Sequence, residues 1–162
     1  MKLFVEKQQE IGRQVDAIRT ALGDDMYSKT VYFVSEAGTA DVLCSLLWER
    51  KHKPVLLHDG LSVRQYQQGY DRFRRDPFST VLIVEGEWPL WGAGSYTTPI
   101  KSIVHWNDPS GEEDLCKRWA IMEDRATGWE VLAAAEQAIH APNVPPTPHK
   151  PLVFGDGFPT NS

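Results

Sequence analysis

The sequence predicts an α/β domain with a mainly parallel sheet and helices on both faces. Two observations carry that expectation. Short β-branched or aromatic runs at residues 30–34, 54–57, 80–84 and 102–106 alternate with segments of helical periodicity. Short loops bound each piece, the arrangement that right-handed crossovers require. A length of 162 residues suits one domain with a real hydrophobic core.

Each element follows from its own pattern. Phe4, Ile11, Val15, Ile18 and Leu22 stand at helical spacing and predict an amphipathic helix ended by Gly23. Thr30 to Val34 reads as a buried strand, Ser35 to Gly38 as a turn, and Thr39 or Asp41 as the start of a helix carrying Leu43, Leu46, Leu47 and Trp48. Pro54 to Leu57 is the next strand. Ser62 to Phe73 is helical, with Tyr66, Tyr70 and Phe73 on one face. Thr80 to Val84 and Ser102 to Trp106 complete the predicted strands, and EEDLCKRWAIMED, residues 112–124, opens as an acidic helix start. An alanine-rich helix is expected from about Thr127 to His140, so the domain runs over residues 1–140. Residues 141–162 form a proline-rich tail that cannot be regular helix, whose PLVF cluster could dock back on the domain or bind a partner.

Composition narrows the function classes. Hydrophobic residues make up 41% and charged residues 24%, and no apolar run approaches the roughly 20 residues of a membrane helix. The opening MKLFVEKQQE turns charged too early for a secretory signal, and Cys44 and Cys116 are far apart, as reduced thiols of a cytoplasmic protein would be. A net charge of -5 argues against whole-surface attraction to nucleic acid, while leaving room for a local basic face. His52, His58, His105, His140 and His149 show no metal-ligand spacing, so no metal is expected. Ser35, His58 and Asp59 are the residue types of a hydrolase triad, but no G-x-S-x-G elbow presents a nucleophile.

The order of the pieces over residues 5–124 resembles the C-terminal RecA-like domain of DEAD-box-type superfamily 2 RNA helicases. VYFVS at 31–35 is similar to the motif IV strand and its turn. VLLHDGLSVRQYQQGYDRF at 55–73 is similar to the strand, H-G-D-L turn and R-x-x-x-x-x-x-F helix, with the middle pair of the turn transposed and Tyr66 at the arginine position. VLIV at 81–84 stands where a strand enters motif V, and VHWNDP at 104–109 where one precedes motif VI. The resemblance implies a three-layer RecA-like fold.

The departures shape the functional expectation. Motif V, roughly A-T-D-V-A-A-R-G-L-D in the family, is replaced by VEGEWPLWGAGSYTTP. Of motif VI, H-R-I-G-R-T-G-R, only Lys117 and Arg118 match the first two positions, and Ile121 and Asp124 stand where arginines follow. An arginine finger is worth about 10³ to 10⁵ in phosphoryl-transfer rate. ATP hydrolysis is therefore not expected. No G-x-x-x-x-G-K-[ST] loop is present either; the resemblance places that loop in a helicase's other RecA-like domain, so ATP binding is not expected from this domain alone.

Candidate surfaces remain. Trp88, Leu90, Trp91 and Tyr96 lie in the rewritten loop, where aromatic residues suit a protein interface or single-stranded bases, or pack over the sheet edge. His58, Arg64, Arg74, Arg75, Lys117 and Arg118 are candidate RNA contacts. Each also has a plain structural reading: His58 bonded within its turn, the arginines on a solvated helix end, and Asp114 paired with Lys117 or Arg118 at the surface. A finer resemblance, to the Tudor-domain helicase-like proteins of the Piwi-interacting RNA pathway, implies self-association or RNA binding in cytoplasmic ribonucleoprotein granules. The expectation is a non-catalytic, homodimeric assembly domain, with the RNA-binding half of an ATP-dependent helicase as the alternative.

Overall fold

The computed structural model describes residues 2–22, 28–86, 100–122, 129–132 and 137–140. In chain order these form α1 (Lys2–Leu22), β1 (Lys29–Val34), α2 (Ala37–Glu49), β2 (Val55–Leu57), α3 (Val63–Arg75), β3 (Val81–Glu85), β4 (Ile100–His105), α4 (Glu112–Ala120), β5 (Trp129–Leu132) and β6 (Gln137–His140). They build one six-stranded sheet in the order β2-β3-β1-β4-β5-β6. The first five strands are parallel, and β6 closes the row antiparallel to β5.

Strand side chains alternate between two cores, as a pleated strand covered on both faces requires. Tyr32, Val34, Ile83 and Val104 pack with Ile11, Val15 and Ile18 of α1 and Leu43 and Leu47 of α2. Val31, Phe33, Leu82 and Ile103 point the other way, onto Tyr66, Tyr70 and Phe73 of α3 and Trp119 of α4. Three layers result, and the single face predicted for α3 is the face it buries.

Two expectations are corrected. Helix α2 begins at Ala37, two residues before Thr39, whose hydroxyl donates to Glu36 Oε1 at 3.2 Å. The alanine-rich helix predicted from about Thr127 to His140 is a β-hairpin instead. Trp129 and Val131 pair with Ser102 and Val104, and β6 pairs back onto β5. Alanine's helix preference amounts to tenths of a kcal/mol per residue. Burying Val131 completely and satisfying the Glu130 carboxylate within the core outweigh it.

Polar joints fasten the layers. Lys29 is 0% exposed, and its ammonium donates its three protons to the carbonyls of Phe73, Asp76 and Ser79 at 2.7, 2.8 and 2.6 Å. It thereby caps the C-terminus of α3 from β1. Burial, with the nearby Arg74 charge, pushes its pKa down to about 8 against the pull of Asp76. On the other face Arg50 grips Asp16 through two bonds of 2.6 and 3.0 Å. Arg19 donates to His52 Nε2. The His52 proton therefore sits on Nδ1, which donates to Thr80 Oγ1 at 2.8 Å. Burial and then the charges of Arg19 and Arg50 push the His52 pKa down to about 4.

Two outcomes follow. Gly69 lies where an added β-carbon would stand 2.7 Å from Leu57 Cδ2 and 3.5 Å from Val55 Cγ1. Gly69→Ala gains about 1 kcal/mol of helix preference but overpacks a buried contact, and should lower stability in urea denaturation by about 1 kcal/mol net. The unfolded chain protonates His52 near pH 6.5 and the folded chain only near 4. Its contribution is therefore present above pH 6.5 and lost as pH falls from 6.5 towards 4, about 2 kcal/mol by pH 5. A flatter pH profile of the urea midpoint in His52→Asn checks the assignment.

Candidate functional site

Parallel α/β sheets bind ligands beyond the carboxyl ends of their strands, where successive crossovers leave in opposite directions. From β1 the chain turns towards β2, and from β4 it turns towards β5, so that crevice lies between β1 and β4. The chain's own groups bond across it. Trp106 and Asn107 N–H both reach the Phe33 carbonyl, at 3.0 and 3.4 Å, and Asn107 Oδ1 accepts the Ser35 N–H at 2.8 Å.

Beneath the crevice runs a buried polar relay. Arg118 of α4 pairs with Asp114 at 3.1 Å, donates to the Asn107 carbonyl at 2.9 Å and to His105 Nδ1 at 3.0 Å, and lies 5.0 Å from the Phe33 ring centroid. A guanidinium only donates, so His105 Nδ1 is the acceptor and Nε2 carries the proton. That nitrogen donates to Glu130 Oε2 at 2.5 Å, and Trp119 Nε1 donates to the same oxygen at 2.7 Å. Burial pushes the Glu130 pKa up, but the bonds from His105 and Trp119 outweigh it and hold the carboxyl below its ordinary value. Burial pulls Arg118 below the ordinary guanidinium value, against the charge of Asp114.

The predicted site residues are thus dispersed. Arg118 is buried, and its pair with Asp114 is internal, with side chains 7% and 12% exposed, where a surface ion pair is expected from spacing alone. Arg74 is likewise withdrawn from solvent, donating to the Tyr70 hydroxyl at 3.0 Å, because α3 continues two residues past Phe73 and turns it inward. His58 Nδ1 accepts the Gly60 N–H at 3.1 Å within its turn. Arg64 and Arg75 are exposed at opposite ends of α3, about 16 Å apart along its axis, and Arg75 pairs with Asp71. Lys117 stands 3.8 Å from Glu113. Trp88, Leu90, Trp91 and Tyr96 lie outside the described residues.

Sequence reasoning missed His105 and Asn107 as partners of Arg118, and Glu130 as the partner of His105. Asn107 in the NDP turn is the one with a visible signal, an amide directly after a buried strand. Gly86 was missed too. Its φ is +100°, and a β-carbon there would stand 2.6 Å from both Asp59 carboxylate oxygens. That carboxylate, with burial as the larger cause, pushes the Tyr66 hydroxyl pKa up.

The electrostatics of this edge are acidic. Glu6, Glu36, Asp59, Asp108, Glu112 and Glu113 are exposed there, against Lys7, Arg64 and half-buried Lys117 among the described residues. Two of the helix N-termini at this edge are guarded, while the start of α2 behind Glu36 has no side-chain cap. Ser62 and Gln65 form a reciprocal capping box on α3, and Glu112, Glu113 and Asp114 fill the first turn of α4. No group of three or more His, Cys, Asp or Glu side chains suited to a metal occurs among the described residues. No helix among them is long and apolar enough to cross a membrane.

Arg118 and Lys117 separate on a stability measurement. Arg118→Ala leaves Asp114 buried without its cation and should cost about 3–5 kcal/mol in urea denaturation. Lys117→Ala should stay within about 0.5 kcal/mol of the parent.

No family model and no curated protein matches the sequence. Solved structures do. The chain is similar to an S. cerevisiae Dbp5 C-terminal domain variant bound to a Gle1 variant and IP6, with 19% identity over 77% of this chain and 69% of that one, TM-score 0.59. It is similar to the C-terminal domain of the DEAD-box protein Dbp5, with 20% identity over 74% and 68%, TM-score 0.57. It is also similar to domain 2 of the Mss116p DEAD-box helicase bound to an RNA duplex, with 19% identity over 77% of this chain and 49% of that one, TM-score 0.58. Nothing in these comparisons supports the finer likeness to Tudor-domain helicase-like proteins. The chain has the RecA-like fold of the C-terminal domain of DEAD-box helicases.

Proposed function

We propose that this chain is a non-catalytic helicase-type domain that acts by assembly, as a self-association and protein-interaction scaffold of a cytoplasmic ribonucleoprotein. One observation carries the reading: at the edge where parallel α/β sheets receive ligands, the Ser35 N–H is taken by Asn107 and exposed carboxylates line the surface. Like charges on both partners raise the cost of bringing a nucleotide or an RNA backbone there. The competing reading, the RNA-binding half of an ATP-dependent helicase, needs an arginine free to reach a γ-phosphate, whereas Arg118 is committed to Asp114, Asn107 and His105. A solved structure of this fold is bound to another protein, Gle1, which illustrates that the fold can present a protein-binding surface.

Light scattering over a concentration series tests the proposal. The weight-average mass of the parent chain should rise with concentration, and replacing Trp88 and Trp91 together by alanine should weaken the rise if the rewritten loop takes part. A strict monomer at high concentration would overturn self-association.

A further inference from the structure

Among the described residues, five large apolar side chains are exposed: Val5, Trp48, Val63, Phe78 and Leu132. Every one lies at an end of the strands. Trp48 closes α2 and Phe78 follows α3, both at the edge where strands begin. Val63 opens α3, Leu132 ends β5 and Val5 stands near the start of α1, at the edge where strands finish.

The strand-start edge is also basic, in an unusual way. Helix α2 ends in a Schellman motif, with Lys51 N–H on the Trp48 carbonyl and His52 N–H on the Leu47 carbonyl, both at 3.0 Å. The position that glycine ordinarily fills is Lys51, with φ 66°, and Lys53 follows with φ 48°. These two are the non-glycine residues of positive φ among those described. Glycine would adopt either conformation without strain, so two lysines are kept at a cost to the backbone. Their setting is firm: Ser79 Oγ donates to the Lys53 carbonyl at 2.7 Å, Lys53 pairs with Asp76 at 2.9 Å, and Asp76 accepts the Phe78 N–H at 2.9 Å. Trp48, Lys51, Lys53 and Phe78 therefore form one continuous band, joined by exposed Arg72 and Arg75 and tempered by Glu49, Asp71 and Asp76.

We infer that the strand-start edge of one molecule docks on the strand-finish edge of a second copy of the chain. Complementarity of the two edges selects the occupant. Lys51, Lys53, Arg72 and Arg75 between exposed aromatics meet an edge with six exposed carboxylates and its own exposed Val63 and Leu132, so opposite charges and apolar contacts align together. Two different surfaces meeting head to tail make a heterologous contact, which does not stop at two copies unless a ring closes. This inference rests on the assembly reading and specifies its geometry, beyond the dimer expected from sequence.

The test uses two variants of the full chain. Lys51→Gly/Lys53→Gly disables the basic band while relieving the backbone, so its melting temperature should rise and lost association cannot be lost folding. Glu112→Lys/Glu113→Lys disables the acidic edge. The parent mass should grow past the dimer with concentration and fall as salt is raised to about 0.5 M. Each variant alone should need at least about tenfold more protein for half-association. Mixed in equal amounts, the two should form a one-to-one dimer that grows no further, because only one intact pair of edges remains.

Failure to form that mixed dimer, salt-insensitive association, or parent-like association of the lysine variant would each overturn the head-to-tail contact. If the edge variants associate normally and Trp88→Ala/Trp91→Ala does not, this inference falls while the assembly reading stands. A monomeric parent sinks both.

Discussion

The buried charge of Arg118 is the constraint around which the rest of this domain is organised. A guanidinium removed from water needs both a counter-charge and acceptors for its protons, and losing one partner leaves a costly remainder. Asp114 supplies the charge, and Asn107 and His105 supply acceptors. His105 can accept only by placing its own proton on the far nitrogen, where Glu130 receives it. A requirement of one side chain on α4 is thus transmitted through β4 to β5, and it explains a carboxylate inside a strand whose neighbour Val131 is fully buried.

The same relay bears on what the domain can do. In a parallel α/β sheet the carboxyl edge is the place where a ligand finds backbone donors and helix N-termini. Here the Ser35 donor is taken by Asn107, the α3 terminus by its capping box and the α4 terminus by three acidic residues. The carboxylates suit the positive ends of the helices, so they stabilise the fold while making the edge unwelcoming to phosphate. At the opposite edge Lys29, Lys51 and Lys53 suit the helix C-termini in the same way. The helix dipoles thus favour a molecule charged oppositely at its two ends.

Much of this architecture is legible in sequence. Continuous β-branched and aromatic runs identify the first four strands, and the spacing of Tyr66, Tyr70 and Phe73 marks the buried face of α3. The C-terminal hairpin is not legible, because its alanines favour helix and its reason for being a strand lies at His105 and Trp119, 25 and 11 residues away from Glu130. The site residues divide in the same manner. His58 is bonded within its own turn, a contact local in sequence and foreseeable. Arg74 and Arg118 look like surface cations in a helix pattern, and only the packing of α3 and α4 on the sheet turns them inward.

Sequence by itself determined the alternation of strands and helices, the mainly parallel sheet and the presence of Ile121 rather than a cation after Arg118, since these depend on local periodicity and on which residue types are present. Tertiary structure decided the rest: which of Lys117 and Arg118 remains at the surface, which groups bond across the crevice between β1 and β4, and that exposed apolar and charged side chains gather at the two ends of the sheet. Burial and pairing are relations between residues distant in the chain. A sequence names the partners, and the fold alone brings them within hydrogen-bonding reach.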